Sequence, residues 1–562
     1  MNEEMHSIRV VDYIVEFIVK LGVRNVFMLS GTGSVYLDDA FAVHEKITYT
    51  CARHEAAAVL MASAAAKLSG GLGVVISTTG PGATNAIGGV AEAWVDSVPI
   101  LVFSGQVAVN QTIAGIKSFG IQGFNIIENV KQITKYSHRV DDPGSIRFHL
   151  ERAVEEALSG RPGPVWLDLP IDVQSAQIKP NMLEKYDKKK PEIVTSSTDI
   201  QAVLDGLRNS HSPLIVFGQG IRNGNAIPEL DEFLKVTSIP SICSRMGFDI
   251  LERSHPNFFG LGGFRGNGVS NNIFSKSDFI IAVGCSFTHA FGGEEYEYMD
   301  KDASLVMVNL DKAEMTKPGL RVQMALNIDV KIFFTYLLAA IQNDEKDLNF
   351  KDWLGLCVSL KKKEIGYLKP PMTNPINSYF LIQCLNNCSN ENHIFTNDAG
   401  SANYVSSQAL SLKTGQRELT SGAFYSMGVA LPLAIGASVA EPDKQVIVIT
   451  GDGSIELNIQ ELRTASKAQL NIKIFIINNG GYASIRKSQD EMAGGRYTDD
   501  QDVLNFRKVA DAFELRYLLL DDCQSLENLI KSELNYSDPC LIEVLCDPSQ
   551  EINDSFLEVE KL

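Results

Sequence analysis

The sequence predicts an α/β protein with three doubly wound domains, each built on a parallel sheet that carries helices on both faces. Two observations predict this class. Short, wholly apolar runs alternate with longer amphipathic or alanine-rich segments, which is the pattern of strands buried on both faces of a parallel sheet. The length of 562 residues leaves room for three or four domains at roughly 150 residues each.

The alternation falls into three stretches, which are separated by charged or proline-containing segments at residues 185–192 and 361–371 that we interpret as linkers. We expect an N-terminal domain at 1–180, a central Rossmann-like domain at 195–345 and a C-terminal domain at 375–550. The runs predicted as strands are residues 26–29, 47–51, 73–77, 99–104, 214–217, 279–283, 305–310, 394–396, 446–450, 472–477 and 541–545.

Composition and charge argue against several classes of function. The chain has 50 Lys+Arg and 68 Asp+Glu, a net charge of −18, so we expect neither a nucleic acid nor a membrane surface as partner. No apolar run reaches the roughly 18 residues of a membrane span, and the acidic start is not typical of a signal peptide. The nine cysteines complete no zinc set, which predicts reduced thiols in a cytoplasmic protein.

The most informative motif is a Gly-Asp-Gly-Ser turn at residues 451–454, followed one βαβ unit later by an Asn-Asn pair at 478–479. The segment between them carries apolar residues on one face and predicts a helix at 456–469. About 14 helical residues return the chain roughly 21 Å, which matches a strand of about six residues. The two strands therefore run parallel, and Asp452 and Asn479 reach the same edge of the sheet.

That edge is where open α/β sheets bind ligands. A carboxylate and an amide oxygen suit Mg²⁺, and the free N–H groups of a helix opened by Gly453 and Ser454 suit a phosphate. Either motif alone would indicate only a turn or a strand end. The two motifs at this spacing predict a site for a divalent metal that holds a diphosphate.

This pattern resembles the metal–diphosphate motif of thiamin diphosphate enzymes, and the similarity is greatest with the acetolactate synthase (acetohydroxyacid synthase) group. The resemblance extends from residue 8 to about residue 547 and rests on motifs that are specific in combination. The matching segments are residues 53–55, 79–85, 96–99, 105–107, 160–164, 168–170, 426–428 and 431–437.

The resemblance implies a role for each matching residue. Glu55 would share a proton with the pyrimidine ring of the cofactor, and Gln122 would lie on the substrate side. Asp452, Asn479 and the main-chain carbonyl of Gly481 would be the metal ligands. The other implied cofactor-binding residues are Gly31, Pro81, Asn85, Gly400, Ser401, Met427, Gly453 and Ser454. Active sites of the family lie between two chains, which implies a homodimer or homotetramer.

Some positions depart from the family pattern around the second substrate. A Gln-His-Gln run is replaced by residues 401–403, Ser-Ala-Asn, and the substrate-selecting tryptophan falls at or near Ser488. FAD is a candidate second cofactor, because Arg161, Gly218 and Gly220 fit its site. An arginine-containing run expected after residue 284 is replaced by Cys-Ser-Phe-Thr-His, however, so the sequence leaves flavin binding open.

The function that the resemblance implies is a carboligase that decarboxylates a 2-oxo acid, pyruvate above all, and transfers the acyl unit to a second carbonyl compound. The acceptor would be a 2-oxo acid, a ketone or an activated keto sugar, and Arg486 and Lys487 would suit an anionic acceptor if they face the pocket. The alternatives are a decarboxylase or C–C-cleaving hydrolase without carboligation, a nucleotide-binding regulatory protein, and a flavin or NAD oxidoreductase.

Overall fold

The computed structural model describes residues 7–112, 115–117, 120–188, 197–343, 348–367, 370–498 and 502–553. These residues form three six-stranded sheets, and every neighbouring pair of strands within them is parallel. The predicted fold class is confirmed. Each sheet lies within one of the predicted domain ranges, whose exact limits stay a prediction.

The N-terminal sheet has the strand order β3-β2-β4-β5-β7-β6, and β1 and β8, near the two ends of this domain's chain, form a separate antiparallel pair. Its strands are β1 Ile8–Arg9, β2 Asn25–Met28, β3 Thr48–Cys51, β4 Gly73–Ser77, β5 Ile100–Gln106, β6 Tyr136–Arg139, β7 Val165–Pro170 and β8 Gln177–Ile178. Its helices are α1 Val10–Lys20, α2 Val35–Val43, α3 Glu55–Ser69, α4 Pro81–Val95, α5 Ile126–Val130, α6 Ile146–Leu158 and α7 Ile171–Ser175.

The central sheet has the order β11-β10-β9-β12-β13-β14, which is the winding of dinucleotide-binding folds. Its strands are β9 Pro213–Phe217, β10 Ser241–Cys243, β11 Phe258–Leu261, β12 Phe279–Val283, β13 Ser304–Val308 and β14 Met324–Leu326. Its helices are α8 Ser197–Asn209, α9 Gly220–Asn223, α10 Ile227–Thr237, α11 Gly268–Ser275, α12 His289–Gly292, α13 Val330–Gln342 and α14 Lys351–Tyr367.

The C-terminal sheet has the order β16-β15-β17-β18-β20-β19, which repeats the winding of the N-terminal sheet. Its strands are β15 His393–Asn397, β16 Arg417–Leu419, β17 Gln445–Gly451, β18 Ile472–Asn478, β19 Arg516–Leu520 and β20 Cys540–Leu545. Its helices are α15 Ser378–Cys388, α16 Ser401–Ala409, α17 Ala430–Ala440, α18 Asp452–Ile455, α19 Leu462–Lys467, α20 Ala483–Ser488, α21 Phe506–Ala512 and α22 Leu526–Glu533.

The second predicted linker is wrong in its first half. The lysines at 361–363 belong to α14 rather than to a loop, and the Lys361 ammonium donates to the carbonyls of Arg253 and Phe258. The lysine run was interpreted as a linker because it is charged, but it does not interrupt the helix. In the first predicted linker, residues 185–188 form neither helix nor strand, and residues 189–192 lie outside the described part of the chain.

The N-terminal and C-terminal domains pack together through α3 and α17. These two helices approach closely because α17 carries Gly436, where a Cβ atom would lie 2.1 Å from the carbonyl oxygen of Met61. One buried glutamate of each domain accepts a hydrogen bond from the other domain, at the segment that precedes α3 or α17. Glu461 accepts a hydrogen bond from the Arg53 amide at 2.8 Å, and Glu92 accepts one from the Ser426 hydroxyl at 2.5 Å.

A buried ion network joins all three domains. Asp249 of the central domain accepts hydrogen bonds from Arg222 at 3.0 Å and from Arg417 of β16 at 2.5 Å. Arg417 also donates to the carbonyl of Lys67 in α3. Burial alone would raise the pKa of Asp249, but the two guanidinium groups outweigh burial and hold that pKa below its usual value.

No helix in the described ranges is long and apolar enough to cross a bilayer.

We expect Asp249→Ala to destabilise the protein strongly, because it leaves two partly buried guanidinium groups without their carboxylate. Breaking such a buried pair costs about 3–5 kcal/mol, and the loss should appear as a lower midpoint of the first transition in urea. The matched control is Asp141→Ala, which removes an exposed partner of Arg139 and should cost no more than about 1 kcal/mol. Equal midpoints for the two variants would contradict the role of the network.

Candidate active site

The carboxyl edge of the C-terminal sheet holds a cluster of polar groups at the point where the strand order reverses. β15 and β17 are neighbours at this point, and they are followed by an Asp-Ala-Gly turn at 398–400 and by the Gly-Asp-Gly turn at 451–453. The connections leave these two strands in opposite directions and open a crevice in which such sheets bind ligands.

Asp452 is 3% exposed, and backbone amides surround its carboxylate. Oδ2 accepts hydrogen bonds from the N–H groups of Gly481 at 2.8 Å and Asn479 at 3.1 Å, and Oδ1 accepts one from Gly453 at 2.8 Å. Burial raises the pKa of Asp452, and the amides oppose this effect only in part. Among the described residues, no ion pair involves this carboxylate.

The predicted metal ligands lie together at this edge. β17 and β18 are parallel as predicted, so Asp452 and Asn479 follow neighbouring strands. Within the described chain the side-chain amide of Asn479 makes no hydrogen bond, and Gly481 follows two residues later. A carboxylate, an amide oxygen and a main-chain carbonyl are a donor set that suits Mg²⁺, which keeps its other positions for water and phosphate oxygens. The residues present therefore fit a metal–diphosphate group.

The turns on either side of this set contain glycines that the geometry requires. Gly400 has φ of 69°, a conformation that favours glycine, and it directly precedes Ser401 at the start of α16. A Cβ atom on Gly453 would lie 2.7 Å from the ring of Tyr482. Ser454, which follows Gly453, is buried in α18.

The helix predicted at 456–469 is broken, and the break has a local cause. After α18 the chain continues as a 3₁₀ turn, Glu456–Glu461, in which Asn458 has non-helical angles, and only then forms α19. The side-chain amide of Asn458 donates to the carbonyl of Gly428 at 2.8 Å. An apolar face at helical spacing did not reveal this contact.

Met427 lies half-buried in the segment that leads to α17, next to the anchored Gly428. The Gly428 amide donates to the carboxylate of Asp398 at 2.7 Å, and the Thr450 hydroxyl donates to the same carboxylate at 3.0 Å. Burial raises the pKa of Asp398 to about 6. Asp398 therefore links the ends of β15 and β17 to the segment that holds Met427.

Glu55 is the first residue of α3 and is 3% exposed. The side-chain amide of Asn85, on α4, donates to its Oε2 at 3.0 Å. A Cβ atom on Gly82 would lie 2.9 Å from Oε1, so the start of α4 packs closely against the carboxyl group of Glu55. The structure thus brings together Glu55, Asn85 and Pro81, the first residue of α4.

Gln122 and Gly31 lie at the same end of the N-terminal sheet. Gln122 is exposed with φ of 63°, and its carbonyl oxygen lies 2.3 Å from the position of a Cβ atom on Gly80, just before α4. Gly31 follows β2, and a Cβ atom there would lie 2.5 Å from Thr78 after β4. β2 and β4 are neighbours at which this sheet also reverses its order.

The two clusters remain separate in the single chain. No hydrogen bond or ion pair among the described residues joins Glu55 to Asp452, Asn479 or Met427. The partners of Glu55 come from the N-terminal domain, and those of Asp452 come from the C-terminal domain.

The residues proposed for FAD lie around a cavity of about 810 Å³ between the three domains. Gly220 lines this cavity, and Gly218 and Gly220 pack against Gly284, where Cβ atoms would clash at 2.6 and 2.5 Å. Arg161 also lines it, but its guanidinium donates to Asp311 at 3.0 Å and to Glu314 at 2.5 Å. The cavity has the size of a nucleotide site, whereas the charge of Arg161 is already compensated.

The cations proposed for the acceptor do not face an open pocket. Arg486 is 8% exposed and donates to the carbonyls of Gly480 at 2.6 Å and Asn479 at 3.1 Å. Lys487 is exposed and lies 3.8 Å from Glu491. Arg486 therefore supports the loop that contains the predicted metal ligands Asn479 and Gly481, a contact that the sequence pattern did not indicate. The side chain of Ser488 is exposed, which agrees with open space at the position where the family has a tryptophan.

Sequence reasoning missed two residues at the site. Asp398 follows a predicted strand and precedes Gly400, and this strand–Asp–Gly signal was available in the sequence. Arg265 lies in the connection between β11 and α11 and lines the cavity. No local pattern distinguished it from other arginines, because its surroundings come from distant parts of the chain.

Comparison with protein families gives three matches in chain order. Residues 8–126 match the thiamine pyrophosphate enzyme N-terminal TPP binding domain, 200–337 match the central domain, and 398–544 match the C-terminal TPP binding domain. Together these ranges cover well over half of the chain.

Relatives of similar length extend the comparison. The chain is 30% identical to the acetolactate synthase large subunit of Lactococcus lactis, over 96% of this chain and 92% of that protein. It is 28% identical to the isozyme 1 large subunit of Escherichia coli, over 96% and 94%, and 30% identical to a probable large subunit of Methanocaldococcus jannaschii, over 94% and 90%. With the three domain matches, these identities establish that the chain belongs to the thiamine pyrophosphate enzyme family and is acetolactate synthase-like.

Proposed function

We propose that the chain is a thiamin diphosphate- and Mg²⁺-dependent carboligase that uses pyruvate as its acyl donor. The observation that supports this most strongly is the set of Asp452, Asn479 and Gly481 at one sheet edge, where a buried carboxylate forms no ion pair with any described residue. The acetolactate synthase names of its relatives support the 2-oxo acid donor.

Each cluster has a distinct task in this proposal. When bound, thiamin diphosphate supplies a nucleophilic carbon and an electron sink. Asp452, Asn479 and the Gly481 carbonyl would hold the metal, and the turns at residues 400–401 and 453–454 would bind the diphosphate. Glu55, whose carboxyl group accepts a hydrogen bond from Asn85, would hold a proton at the pyrimidine ring. Met427 would pack against the cofactor, Gly31 and Pro81 would shape the pyrimidine side, and Gln122 would lie on the substrate side.

The separation of the two clusters supports a homodimer or homotetramer in which a second chain completes each site. Glu55 and Asp452 interact with different domains and share no contact within one chain. The oligomeric state, a cytoplasmic location and FAD binding stay predictions. A decarboxylase or C–C-cleaving hydrolase remains the alternative, because the same cofactor residues serve a reaction in which a proton or water replaces the acceptor.

We expect Asp452→Ala to lose Mg²⁺-dependent binding of thiamin diphosphate, because a methyl group cannot coordinate the metal. Calorimetric titration of the cofactor with and without Mg²⁺ measures this. Asp443→Ala is the matched control, since Asp443 is exposed near the opposite end of β17. Unchanged cofactor affinity in Asp452→Ala would rule out the metal role.

We expect Glu55→Gln to bind the cofactor but to exchange its C2 proton more slowly, because an amide keeps the shape of the carboxyl group without its proton transfer. General acid–base groups contribute roughly 10²–10⁴-fold, and proton exchange into deuterium oxide followed by NMR measures the effect. The exposed Glu45→Gln serves as control. Wild-type exchange in Glu55→Gln would exclude Glu55 as the activating group.

A competition assay with pyruvate as the donor and several carbonyl compounds as acceptors tests which acceptors the protein uses. We expect wild type to form products with ketones or activated keto sugars, because Ser488 leaves space where a tryptophan would select small acceptors. Ser488→Trp should narrow this range, while Ser488→Ala should not. Exclusive formation of acetolactate or acetohydroxybutyrate by wild type would place the protein with ordinary synthases, and release of acetaldehyde alone would favour the decarboxylase.

A further inference from the structure

The two ends of the central cavity differ in charge. One end lies at the carboxyl ends of β9, β12 and β13, where Gly220, Gly284 and Asn309 line it. At this end Arg161 is paired with two carboxylates, and Asp329 also lines the wall. The opposite end, which we call the Arg265 end, is aromatic and cationic, and its lining residues are Phe264, Arg265, Tyr404, Ser407, Gly422 and Tyr425.

Three arginines line the cavity, and they differ in whether a carboxylate compensates them. Arg161 pairs with Asp311 and Glu314. Arg245 makes a two-pronged contact with Glu418, at 2.8 and 2.5 Å. Arg265 forms no ion pair and no side-chain hydrogen bond within the described ranges.

Two aromatic rings hold the Arg265 guanidinium in place. Its central carbon lies 4.1 Å from the centre of the Phe264 ring and 4.6 Å from that of Tyr404. Its Nε atom is buried and has no hydrogen-bond partner in the part of the chain that the structure describes. Stacking on rings leaves the edge of the planar guanidinium free to donate hydrogen bonds.

The Arg265 end also reaches the candidate active site. Tyr404 is one helical turn after Gly400, and its amide donates to the Gly400 carbonyl at 3.1 Å. Gly422 and Tyr425 belong to the segment that leads to Met427. A ligand at this end therefore lies beside elements that the proposed function assigns to the cofactor.

We propose that Arg265 binds an oxyanion, a carboxylate or a phosphate, of the ligand that occupies this cavity. A partly buried cation without a counter-ion is costly, and a planar guanidinium presents paired N–H groups that match two oxygens of such an anion. The oxyanion belongs either to the acceptor substrate or to a separate nucleotide. If the acceptor carries the oxyanion, Arg265 takes the role that the sequence had suggested for Arg486 and Lys487.

The test compares wild type with Arg265→Met, which keeps an apolar chain between the rings, and with Arg265→Lys, which keeps the charge but not the planar group. Arg507→Met is the matched control, because Arg507 stacks on Tyr517 at 4.5 Å on an exposed site that does not line the cavity. Inorganic phosphate, inorganic diphosphate, ADP and FAD are titrated into each protein by calorimetry, without thiamin diphosphate or pyruvate. Thermal midpoints verify folding.

We expect at least one probe to bind wild type and to bind Arg265→Met about tenfold or more weakly, the usual effect of losing a charge-assisted hydrogen bond. Arg265→Lys should be intermediate and Arg507→Met unchanged. This binding assay does not depend on the proposed function, so its outcome is independent of a failure of carboligation.

A kinetic arm, which rests on the proposed function, distinguishes the two sources of the oxyanion. If the acceptor carries it, Arg265→Met raises the KM of an anionic acceptor about tenfold or more with kcat changed less than about twofold. If a nucleotide carries it, that KM stays constant while ADP or FAD affinity falls. Probe affinities and acceptor KM that are the same in wild type, Arg265→Met and Arg507→Met would overturn the proposal.

Discussion

The amides that surround the Asp452 carboxylate are the constraint on which the candidate site depends. Hydrogen bonds from Gly453, Asn479 and Gly481 tie the turn after β17 to the turn after β18. They also fix the carboxylate in a buried position where no described residue forms an ion pair with it, and a divalent metal would neutralise its charge. Arg486 supports the same loop from behind, through the carbonyls of residues 479 and 480.

Much of this arrangement could be predicted because it follows from local patterns. All eleven apolar runs chosen from the sequence are strands, and the spacing between the two motifs correctly predicted that β17 and β18 are parallel. Short or polar edge strands such as β6 and β16 were missed, because only pairing with a neighbour makes them strands.

The sequence failed where distant contacts decide the outcome. The helix after Asp452 breaks at Asn458 to reach Gly428, and Lys361 satisfies two carbonyls more than a hundred residues away. The surroundings of Arg486 and Arg265 could not be predicted for the same reason. Nothing in a local pattern shows that one arginine meets carbonyl groups while the other meets two aromatic rings and a cavity.

The repeated winding of the outer domains gives the molecule two sheet edges of the same topology. Reciprocal contacts of Glu461 and Glu92, together with the close approach at Gly436, fix these domains relative to each other. The network around Asp249 adds the central domain to the same body. These contacts connect the wall of the central cavity to the elements of the candidate active site.

The most direct measurement is a crystal structure of the protein with thiamin diphosphate and Mn²⁺ in place of Mg²⁺, with the metal located by its anomalous signal. The result expected here is one peak at coordination distance from the Asp452 carboxylate, the Asn479 amide oxygen and the Gly481 carbonyl. Bound cofactor with the metal elsewhere, or cofactor bound without any metal at this edge, would contradict the assignment of the site.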